Sequence, residues 1–197
     1  MKNQELTDQQ LLGNFIAGDK QAFTLLIKRY EQSLYNYLVR FLGKVSLAEE
    51  TFQETFLQVH LSATKFDLNR PFKPWLYTIA SNKARDLMRS QARKPSINLT
   101  TQDNEDTVDL WSSLLQDDAT PDTIYDQKQQ ELLVKKIIAE MPETPRQILI
   151  MAYYSQLSYK EMAEALEIPL GTVKSRLHSA VANFAQRYKQ LQQKEKE

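Results

Sequence analysis

A basic and aromatic segment from Lys65 to Lys94 contains the side chains best suited to contact a nucleic acid. It has eight Lys or Arg residues against two Asp, interleaved with the aromatic residues Phe66, Phe72, Trp75 and Tyr77. Cations attract the phosphate backbone, and aromatic rings stack on separated bases with a gain of about 1–3 kcal/mol per base. The segment therefore indicates that the chain binds single-stranded nucleic acid.

The second half of this segment has helical spacing. Polar side chains recur every three or four positions and share one face, at Asn82, Arg85, Arg89 and Arg93. They predict a polar track for a DNA backbone. In a purely structural alternative the arginines only contact water, and Phe72 and Trp75 lie in the core. For Trp75 we favour the core.

A second candidate site lies near the C-terminus, in LSYKEMAEALEIPLGTVKSRLHSAVANF. A short helix, a tight turn and a second helix predict a helix-turn-helix, whose second helix enters the major groove of DNA. Arg176 suits bidentate contact with guanine, and Lys174 suits a phosphate. The side chains that we expect to face DNA are Thr172, Lys174, Ser175, Arg176, His178 and Ser179. An ordinary helical hairpin with a basic face is the alternative.

A third candidate is the acidic helix that contains AEETFQETFLQVH. Phe52 and Phe56 point to one side of it. Another surface is acidic and partly apolar, and it consists of Glu50, Gln53, Glu54 and Leu57. Chemistry alone leaves open whether this surface contacts a partner or only water.

Residues typical of an enzyme are missing from the sequence. The two histidines, His60 and His178, fall in different parts of the chain, and neither has paired carboxylates or a glycine-rich phosphate loop beside it. The chain has no cysteine, no apolar run long enough to span a membrane and no apolar signal sequence at its start. We expect no catalytic residue, metal, cofactor or small-molecule substrate, and a cytoplasmic location.

Capping signals divide the first part of the chain into helices. Thr7 with Gln10 predicts a short helix that Gly18 closes, and Asp19 predicts a long helix that ends at Gly43. Its inward positions are Phe23, Leu26, Tyr30, Leu34, Tyr37 and Phe41. Ser46 with Glu49 predicts a third helix with Phe52, Phe56 and Val59 buried. A fourth, from about Phe72 to Gln91, has Trp75, Ile79 and Leu87 facing inward.

The sequence from residue 95 onward predicts a linker followed by a second helical unit. Residues 95–119 lack periodicity, apart from an apolar cluster between Leu110 and Leu115 that suits either a docked helical turn or a partner anchor. Helices then start at Thr120 with Pro121, at Thr144 with Pro145, and at Ser158 with Glu161. A last helix runs to about Tyr188, with Val173, Leu177, Val181 and Phe184 buried. The fold class is therefore all-α: residues 1–94 form a helical bundle, an acidic flexible linker spans 95–119, a helix-turn-helix domain spans 120–190, and a solvated tail spans 191–197.

The formal net charge of zero conceals three blocks. Lys and Arg against Asp and Glu number 14 and 9 in residues 1–94, 0 and 8 in residues 95–127, and 11 and 8 in residues 128–197. Basic blocks at both ends are compatible with nucleic-acid contact at both ends. Nucleic acid would repel the acidic middle.

The C-terminal string GTVKSRLH, after a short helix with a Ser-x-x-Glu start, resembles the minus-35-binding region of extracytoplasmic-function sigma factors of the sigma-70 family. The resemblance covers about residues 8–188. Glu167 stands where the family often has glycine, which predicts a less tightly wound turn. Ser179 and Val181 stand where arginine is frequent, which predicts a weakly basic helix end and modest minus-35 affinity.

The resemblance implies a role for each candidate site. The clamp coiled coil of the largest subunit of core RNA polymerase would be bound by Glu50, Gln53, Glu54 and Leu57. The second helical unit would contact the flap of the polymerase. A base flipped out of the minus-10 element would enter a pocket formed by Phe66, Asp67, Leu68, Asn69 and Arg70. Tyr77, Asn82, Arg85 and Arg89 would position the separated strand.

The resemblance also implies promoter DNA as a partner, together with an anti-sigma factor, frequently a membrane-anchored one. A free-standing helix-turn-helix regulator that acts without polymerase is the alternative function. It would explain the C-terminal motif but would leave the acidic helix and the basic, aromatic segment without a role.

Overall fold

A computed structural model describes residues 6–93 and 121–194, and of residues 121–129 and 194 it describes the backbone alone. In these ranges the regular elements are helical, which confirms the predicted all-α fold. They are α1 (Asp8–Ile16), α2 (Lys20–Leu42), α3 (Val45–Ser62), a 3-10 turn (Ala63–Lys65), α4 (Phe72–Arg93), α5 (Pro121–Glu140), α6 (Glu143–Tyr153), α7 (Tyr159–Leu166) and α8 (Leu170–Lys194). The predicted linker, its apolar cluster and Thr120 lie outside the described residues.

Hydrogen bonds confirm three predicted helix starts. At the start of α1 the Gln10 backbone N–H donates to Thr7 Oγ1 at 3.2 Å, and the Thr7 N–H donates to Gln10 Oε1 at 2.8 Å. Ser158 and Glu161 form the same reciprocal pair before α7. The Asp19 carboxylate accepts two backbone N–H groups before α2. Caps of this kind each contribute about 1 kcal/mol to helix stability.

The predicted capping box at Ser46 is wrong, because the N-cap is Lys44, two residues earlier, and α3 begins at Val45. Gly43 adopts a left-handed conformation with φ 73°, and Lys44, the N-cap, is extended. This abrupt reversal places Ser46 inside the first turn, and the N-cap makes no side-chain hydrogen bond. The start predicted at Thr144 is displaced in the same direction, because the extended Pro142 lets α6 begin at Glu143.

Helix α2 is the central element of the first unit. Five of its six predicted inward side chains are buried, and Phe23 is half-buried. Helices α1, α3 and α4 all pack against α2. Arg29 Nη1 donates to Asp8 Oδ1 at 2.6 Å, and the Tyr30 hydroxyl donates to the other carboxylate oxygen, so a charged contact also attaches α1.

The predicted inward residues of α4 form only the margin of its buried face, and two of them, Trp75 and Ile79, pack against the core. Trp75, Ile79 and Leu87 are only half-buried. The side chains that are buried lie mainly one position further along each turn, at Phe72, Leu76, Tyr77, Ala80, Ser81 and Ala84. This wide buried face arises because α4 packs against α2 and α3 on the one hand and against α7 of the second unit on the other.

The second unit consists of α5 to α8, with α8 in contact with each of the other three helices. Val173, Leu177 and Ala180 of α8 are buried, whereas Val181 is 36% exposed. The prediction that Val181 is buried is therefore wrong. The small side chain of Ala180, one position earlier, is buried in the helix contact instead. Phe184 is half-buried, and α8 continues to Lys194, so the first four residues of the predicted tail are helical.

The turn between α7 and α8 depends on Glu167. This residue is left-handed, with φ 53° and ψ 42°, and its N–H donates to the last carbonyls of α7. The turn therefore has the backbone that glycine would give, contrary to the looser winding expected from the substitution. A side chain in this conformation costs about 1–2 kcal/mol.

The two units pack together in the described ranges. Helix α4 contacts α7, and α2 contacts α6. Most of the buried apolar side chains of both units, from Leu11 to Ala180, form one continuous cluster. None of the described helices combines the length and apolarity needed to cross a membrane.

The conformation of Glu167 yields a test of the turn. Replacing Glu167 with Gly should leave the free energy of unfolding unchanged or raise it by up to about 1 kcal/mol, since relief of strain outweighs the entropy lost by glycine. Glu164→Gly, within the helix, should lower it by about 0.5–1 kcal/mol. Thermal unfolding measures both. Equal losses in the two variants would show that Glu167 is not strained.

Candidate functional site: two nucleic-acid surfaces and an acidic helix face

The acidic surface of α3 is exposed along its whole length. Glu50, Gln53, Glu54 and Leu57 occupy successive turns of one face, and all four are exposed. Leu57 has 51% of its surface accessible. The structure thus brings the four predicted residues together as a stripe with carboxylates at one end and an apolar side chain at the other.

Two further residues extend this stripe and were missed from the sequence. Leu61, one turn beyond Leu57, is 65% exposed, and Lys83 Nζ of α4 lies 3.0 Å from Glu54 Oε2. Leucines four apart, on the side of α3 away from Phe56 and Val59, were a signal that could have identified Leu61. Lys83 could not be found in this way, because only the packing of α4 on α3 brings it near.

Aromatic side chains support α3 from beneath. Phe56 is buried and Phe52 half-buried, with their ring centroids 5.0 Å apart. Tyr35 of α2 meets Phe52 edge-on at 6.4 Å. The two phenylalanines therefore hold the helix against the core, as the sequence predicted.

The loop before α4 is anchored by one aromatic side chain. The Phe66 ring lies 4.4 Å from that of Trp75 and 6.1 Å from that of Phe72, centroid to centroid. Phe66 is half-buried, whereas residues 67–70 are exposed. Of the five predicted pocket residues, Phe66 thus packs into the bundle and the other four face outward.

Asp67 and Asn69 organise the exposed part of the loop. The Asp67 carboxylate accepts the backbone N–H of Asn69 at 3.0 Å and its side-chain amide at 2.9 Å. These hydrogen bonds hold the pKa of Asp67 below its usual range, the backbone bond contributing most. Asn69 is thereby fixed, with its side-chain carbonyl oxygen available as an acceptor.

Helix α1 supports the same loop from the other side. Gln9 Nε2 donates to the Arg70 carbonyl at 3.1 Å. Leu68 Cδ1 lies 3.5 Å from the point where a Cβ on Gly13 would stand. The sequence had assigned α1 no role, because Gln9 and Arg70 lie 61 positions apart in the chain.

The polar stripe of α4 is present but partly covered. Asn82, Arg89 and Arg93 are exposed. Arg85 donates to Asn82 Oδ1 at 3.2 Å and to Gln147 Oε1 of α6 at 3.0 Å. Its Nε also lies 3.6 Å from a Glu143 oxygen. The predicted track is therefore interrupted at Arg85 by the second unit.

Tyr77 does not lie on this surface. Its side chain is fully buried, and burial raises its pKa. The prediction that Tyr77 stands beside a separated strand is wrong for the structure described. Tyr77 lies on the side of α4 that faces the core, where its ring meets that of Tyr37 at 5.3 Å.

The N-terminal half of α8 presents the predicted recognition face. Lys174, Ser175, Arg176, His178 and Ser179 are exposed, and Thr172 is half-buried. The Ser175 hydroxyl donates to the Thr172 carbonyl at 3.1 Å. Arg176 also borders a cavity of about 320 Å³ between α6 and α8. Long cations on a solvated face can reach phosphates or base edges.

The described residues contain no group of three or more His, Asp or Glu side chains that could hold a metal ion. His60 is exposed and packs its ring against Phe15 and Phe23 at 5.1 and 5.6 Å. His178 lies on the recognition face, in the other unit.

Comparison with known families agrees with this division. The family described as Sigma-70 region 2 matches residues 26–94, and the family described as Sigma-70, region 4 matches residues 131–183. These matches and the two helical units define a protein of the sigma-factor class, with the acidic helix face and the loop in region 2 and the recognition helix in region 4.

Similarity to curated relatives identifies a group within the sigma-factor class. The chain is 32% identical over 162 residues to the ECF RNA polymerase sigma factor SigW of Bacillus subtilis, covering 82% of this chain and 86% of the relative. It is 30% identical over 177 residues to the ECF RNA polymerase sigma-E factor of Haemophilus influenzae, covering 90% and 93%. The chain belongs to the extracytoplasmic-function group of the sigma-70 family. It is a sigma factor, and it directs the initiation of transcription.

Solved structures share the fold. CnrH in complex with the cytosolic domain of CnrY has a TM-score of 0.64 at 20% identity, covering 90% of this chain and 94% of that one. The sigma factor RpoE in complex with the anti-sigma factor NepR, from Bartonella quintana, has a TM-score of 0.62 at 19% identity, covering 86% and 98%.

The Glu54 to Lys83 ion pair can be tested for its contribution to stability. Both side chains are about one third to one half exposed, so water screens their attraction. Lys83→Ala should lower the free energy of unfolding by less than about 1 kcal/mol. Thermal unfolding of the purified variant provides the measurement. A larger loss would mean that the pair is needed for the fold, and charge changes at Glu54 could not then be interpreted as effects on binding.

Proposed function

We propose that α3 binds core RNA polymerase through Glu50, Gln53, Glu54 and Leu57. Three polar or acidic side chains beside an exposed leucine suit a basic, partly apolar partner such as the clamp coiled coil of the largest subunit. Charged groups at the rim of such a contact steer association, and the apolar group contributes burial. Leu61, on the same face, extends the surface. The second unit contacts the flap.

The loop and α4 bind the minus-10 element in this proposal. Phe66 anchors the loop, and Leu68, Asn69 and Arg70 receive a base that leaves the stack. Asn69 supports the assignment, because its amide is held in place by Asp67 before any base arrives. Asn82, Arg85 and Arg89 follow the strand. Tyr77 is left out of the contact surface and supports α4 from the core.

The recognition helix binds the minus-35 element. Lys174 and Arg176 are the lysine and arginine of its N-terminal half, with Ser175, His178 and Ser179 beside them and Thr172 at the helix start. Exposure of the cations and their location in the region 4 match support this assignment. The proposed division of the chain is region 2 in residues 1–94, linker in 95–119 and region 4 in 120–190.

The chain performs no chemical step of its own in this proposal, and turnover belongs to the polymerase. It acts in the cytoplasm beside that enzyme and needs no cofactor. An anti-sigma factor restrains the chain. If that factor is membrane-anchored, the chain is held at the membrane. The anti-sigma factor NepR, bound to RpoE in a structure of similar fold, supports such a partner.

The observation that carries the proposal is the presence, on one rigid region 2 unit, of an acidic exposed stripe and a separate basic surface with a preformed loop. Mapping transcript starts after overexpression, followed by transcription in vitro with core polymerase, tests it. Shared sequences near minus 10 and minus 35, and initiation that requires core enzyme, are expected. Tight specific binding to duplex DNA by the chain alone, as a dimer on a palindrome, would favour the free-standing regulator.

Reversing one charge on α3 tests polymerase binding. Glu54→Lys should weaken association with core polymerase by roughly tenfold or more, because it places a cation against a basic partner. Glu31→Lys, the same charge reversal at an exposed position of α2, is the matched control and should bind normally. Titration of labelled core enzyme measures both. Equal effects in the two variants would assign the loss to net charge.

Two substitutions separate the DNA functions. Arg176→Ala should weaken use of the minus-35 element by roughly 1–3 kcal/mol if the guanidinium contacts a base.

Asn69→Ala should slow promoter opening while binding to core polymerase remains intact. Gel-shift and open-complex assays on a mapped promoter distinguish the steps. Loss of core binding in either variant would contradict this division of labour.

A further inference from the structure

Helix α1 lies outside both ranges that match the sigma-70 families. The region 2 match covers residues 26–94, whereas α1 ends at Ile16. Within the described residues, α1 nevertheless contacts α2 and the 3-10 turn that leads into the loop before α4. These contacts indicate a role for α1 that the family comparison does not assign.

Two side chains of α2 attach the start of α1 to the bundle. Arg29 Nη1 donates to Asp8 Oδ1 at 2.6 Å, and Arg29 Nη2 donates to the Leu6 carbonyl at 2.8 Å. The Tyr30 hydroxyl donates to the other Asp8 oxygen. Burial, together with this hydrogen bond, raises the pKa of Tyr30, so the hydroxyl stays protonated and remains a donor at neutral pH. The start of α1 is therefore fixed on α2.

The Tyr30 ring connects this attachment to the loop. Its centroid lies 5.6 Å from that of Phe72, the first residue of α4. Phe72 in turn meets Phe66 edge-on at 6.1 Å, and the Phe66 ring lies against Trp75. The residue that anchors α1 thus packs on the same aromatic group that anchors the beginning of the loop.

The loop residues 67–70 form a compact turn. The Arg70 N–H donates to the Asp67 carbonyl at 2.9 Å, and the Asp67 carboxylate accepts the N–H and the side-chain amide of Asn69. Arg70 precedes Pro71, and a residue before proline is confined mainly to extended backbone. Local chemistry therefore shapes the turn, and a donor opposite the Arg70 carbonyl can fix its orientation on the bundle.

Helix α1 supplies this donor. Gln9 Nε2 donates to the Arg70 carbonyl at 3.1 Å. Gln9 is half-buried, whereas Gln10 is exposed and bonds only to Thr7 at the helix start. Successive residues of a helix point in different directions, so the two glutamines have different roles. Gln9 holds the loop, and Gln10 caps the helix.

Gly13 allows α1 to approach the loop closely. A Cβ at this position would stand 3.5 Å from Leu68 Cδ1, an ordinary van der Waals distance. Gly13 follows Gln9 by four residues, so both lie on the face of α1 that meets the loop. Two successive turns of α1 thus contact the loop, one at the Arg70 carbonyl and the other at the Leu68 side chain.

We propose that α1 positions the minus-10 loop, with Gln9 and Gly13 holding residues 67–70 in the conformation that receives the flipped base. A segment that is fixed before it binds loses less conformational entropy on binding. Neither residue touches DNA, and both act through the loop. This inference rests on the proposed function of the loop, and it adds two positioning residues that precede the region 2 match.

Discrimination of a base measures this role. The full-length chain with core polymerase is titrated with a single-stranded minus-10 oligonucleotide from a mapped promoter, and with copies that lack one base at each position in turn. The largest ratio of dissociation constants, abasic to intact, identifies the captured base. All these DNAs carry the same phosphate charge, so a change of charge on the protein largely cancels in the ratio.

Substitutions at Gln9 should change this ratio. Gln9→Glu removes the donor and should lower the ratio by roughly twofold to tenfold, the range expected for one hydrogen bond. Gln9→Lys keeps a donor on a long side chain and should preserve the ratio. Gln10→Glu makes the same change of charge one position away and retains the capping box, so it is the matched control and should also preserve it. Equal losses in Gln9→Glu and Gln10→Glu would overturn the proposal.

Substitutions at Gly13 separate positioning from helix stability. Alanine and leucine both favour a helix more than glycine does. Gly13→Ala should preserve the ratio, because its methyl group fits beside Leu68. Gly13→Leu should lower the ratio, because a long helical side chain points back toward the preceding turn, where Gln9 bonds to the loop. A ratio that Gly13→Leu leaves unchanged would contradict the assigned role of Gly13.

Hydrogen exchange in the free chain observes the loop directly. The amide of Arg70, which bonds to the Asp67 carbonyl, should exchange faster in Gln9→Glu than in Gln10→Glu, whereas the buried amides of α2 should be unaffected. Equal exchange of the Arg70 amide in the two variants would mean that Gln9 does not hold the loop, and the proposal would fail.

The outcomes distinguish this inference from the proposed function. If Asn69→Ala lowers the ratio and Gln9→Glu does not, α1 is not a positioning element, while the minus-10 assignment of the loop stands. If neither variant lowers the ratio, the proposed function of the loop is wrong, and this inference fails with it. If Gln9→Glu weakens binding to core polymerase or lowers the unfolding temperature as well, its role is structural, which contradicts the proposal.

Discussion

The apolar stripe of α2 is the surface on which the rest of the structure depends. Leu26, Tyr30, Leu34, Tyr37 and Phe41 are buried along one side of the helix. Helices α1, α3 and α4 cover it within the first unit, and α6 of the second unit reaches it as well. Burying five such side chains contributes roughly 1.5–3 kcal/mol each, before the cost of ordering the chain. This packing positions the acidic face of α3 and the loop before α4.

Helix α4 makes apolar contacts on one side and carries charged side chains on the other. Its apolar side completes the bundle through Phe72, Leu76 and Ala80, and its polar side carries Arg85 and Arg89. In a single domain the polar side would be solvated. Here part of it meets the second unit, and Arg85 is satisfied there by an amide and a carboxylate. A surface built to meet phosphates can accept such partners because both kinds of ligand present oxygen atoms.

Local chemistry was predicted well, and relations between elements were predicted poorly. The caps at Thr7, Asp19 and Ser158 depend on residues within three positions of each other, so the sequence specifies them directly. The register of α4 and the exposure of Val181 depend on which neighbours arrive on each side. Glu167 lies between these cases: its left-handed backbone and its hydrogen bonds to α7 are local, whereas the helices on either side of it also pack against each other.

The sequence by itself determined the all-helical class, the two units, the exposed stripe on α3 and the recognition face of α8. Each follows from spacing along a single helix, where residues three or four apart share a face. Only the tertiary structure decided that Tyr77 is buried, that Leu68 and Arg70 are supported by α1, and that Arg85 bonds to Gln147. The physical reason is distance along the chain: Arg85 and Gln147 are separated by 62 residues, and no local pattern records which distant side chain will fill a hydrogen-bonding site.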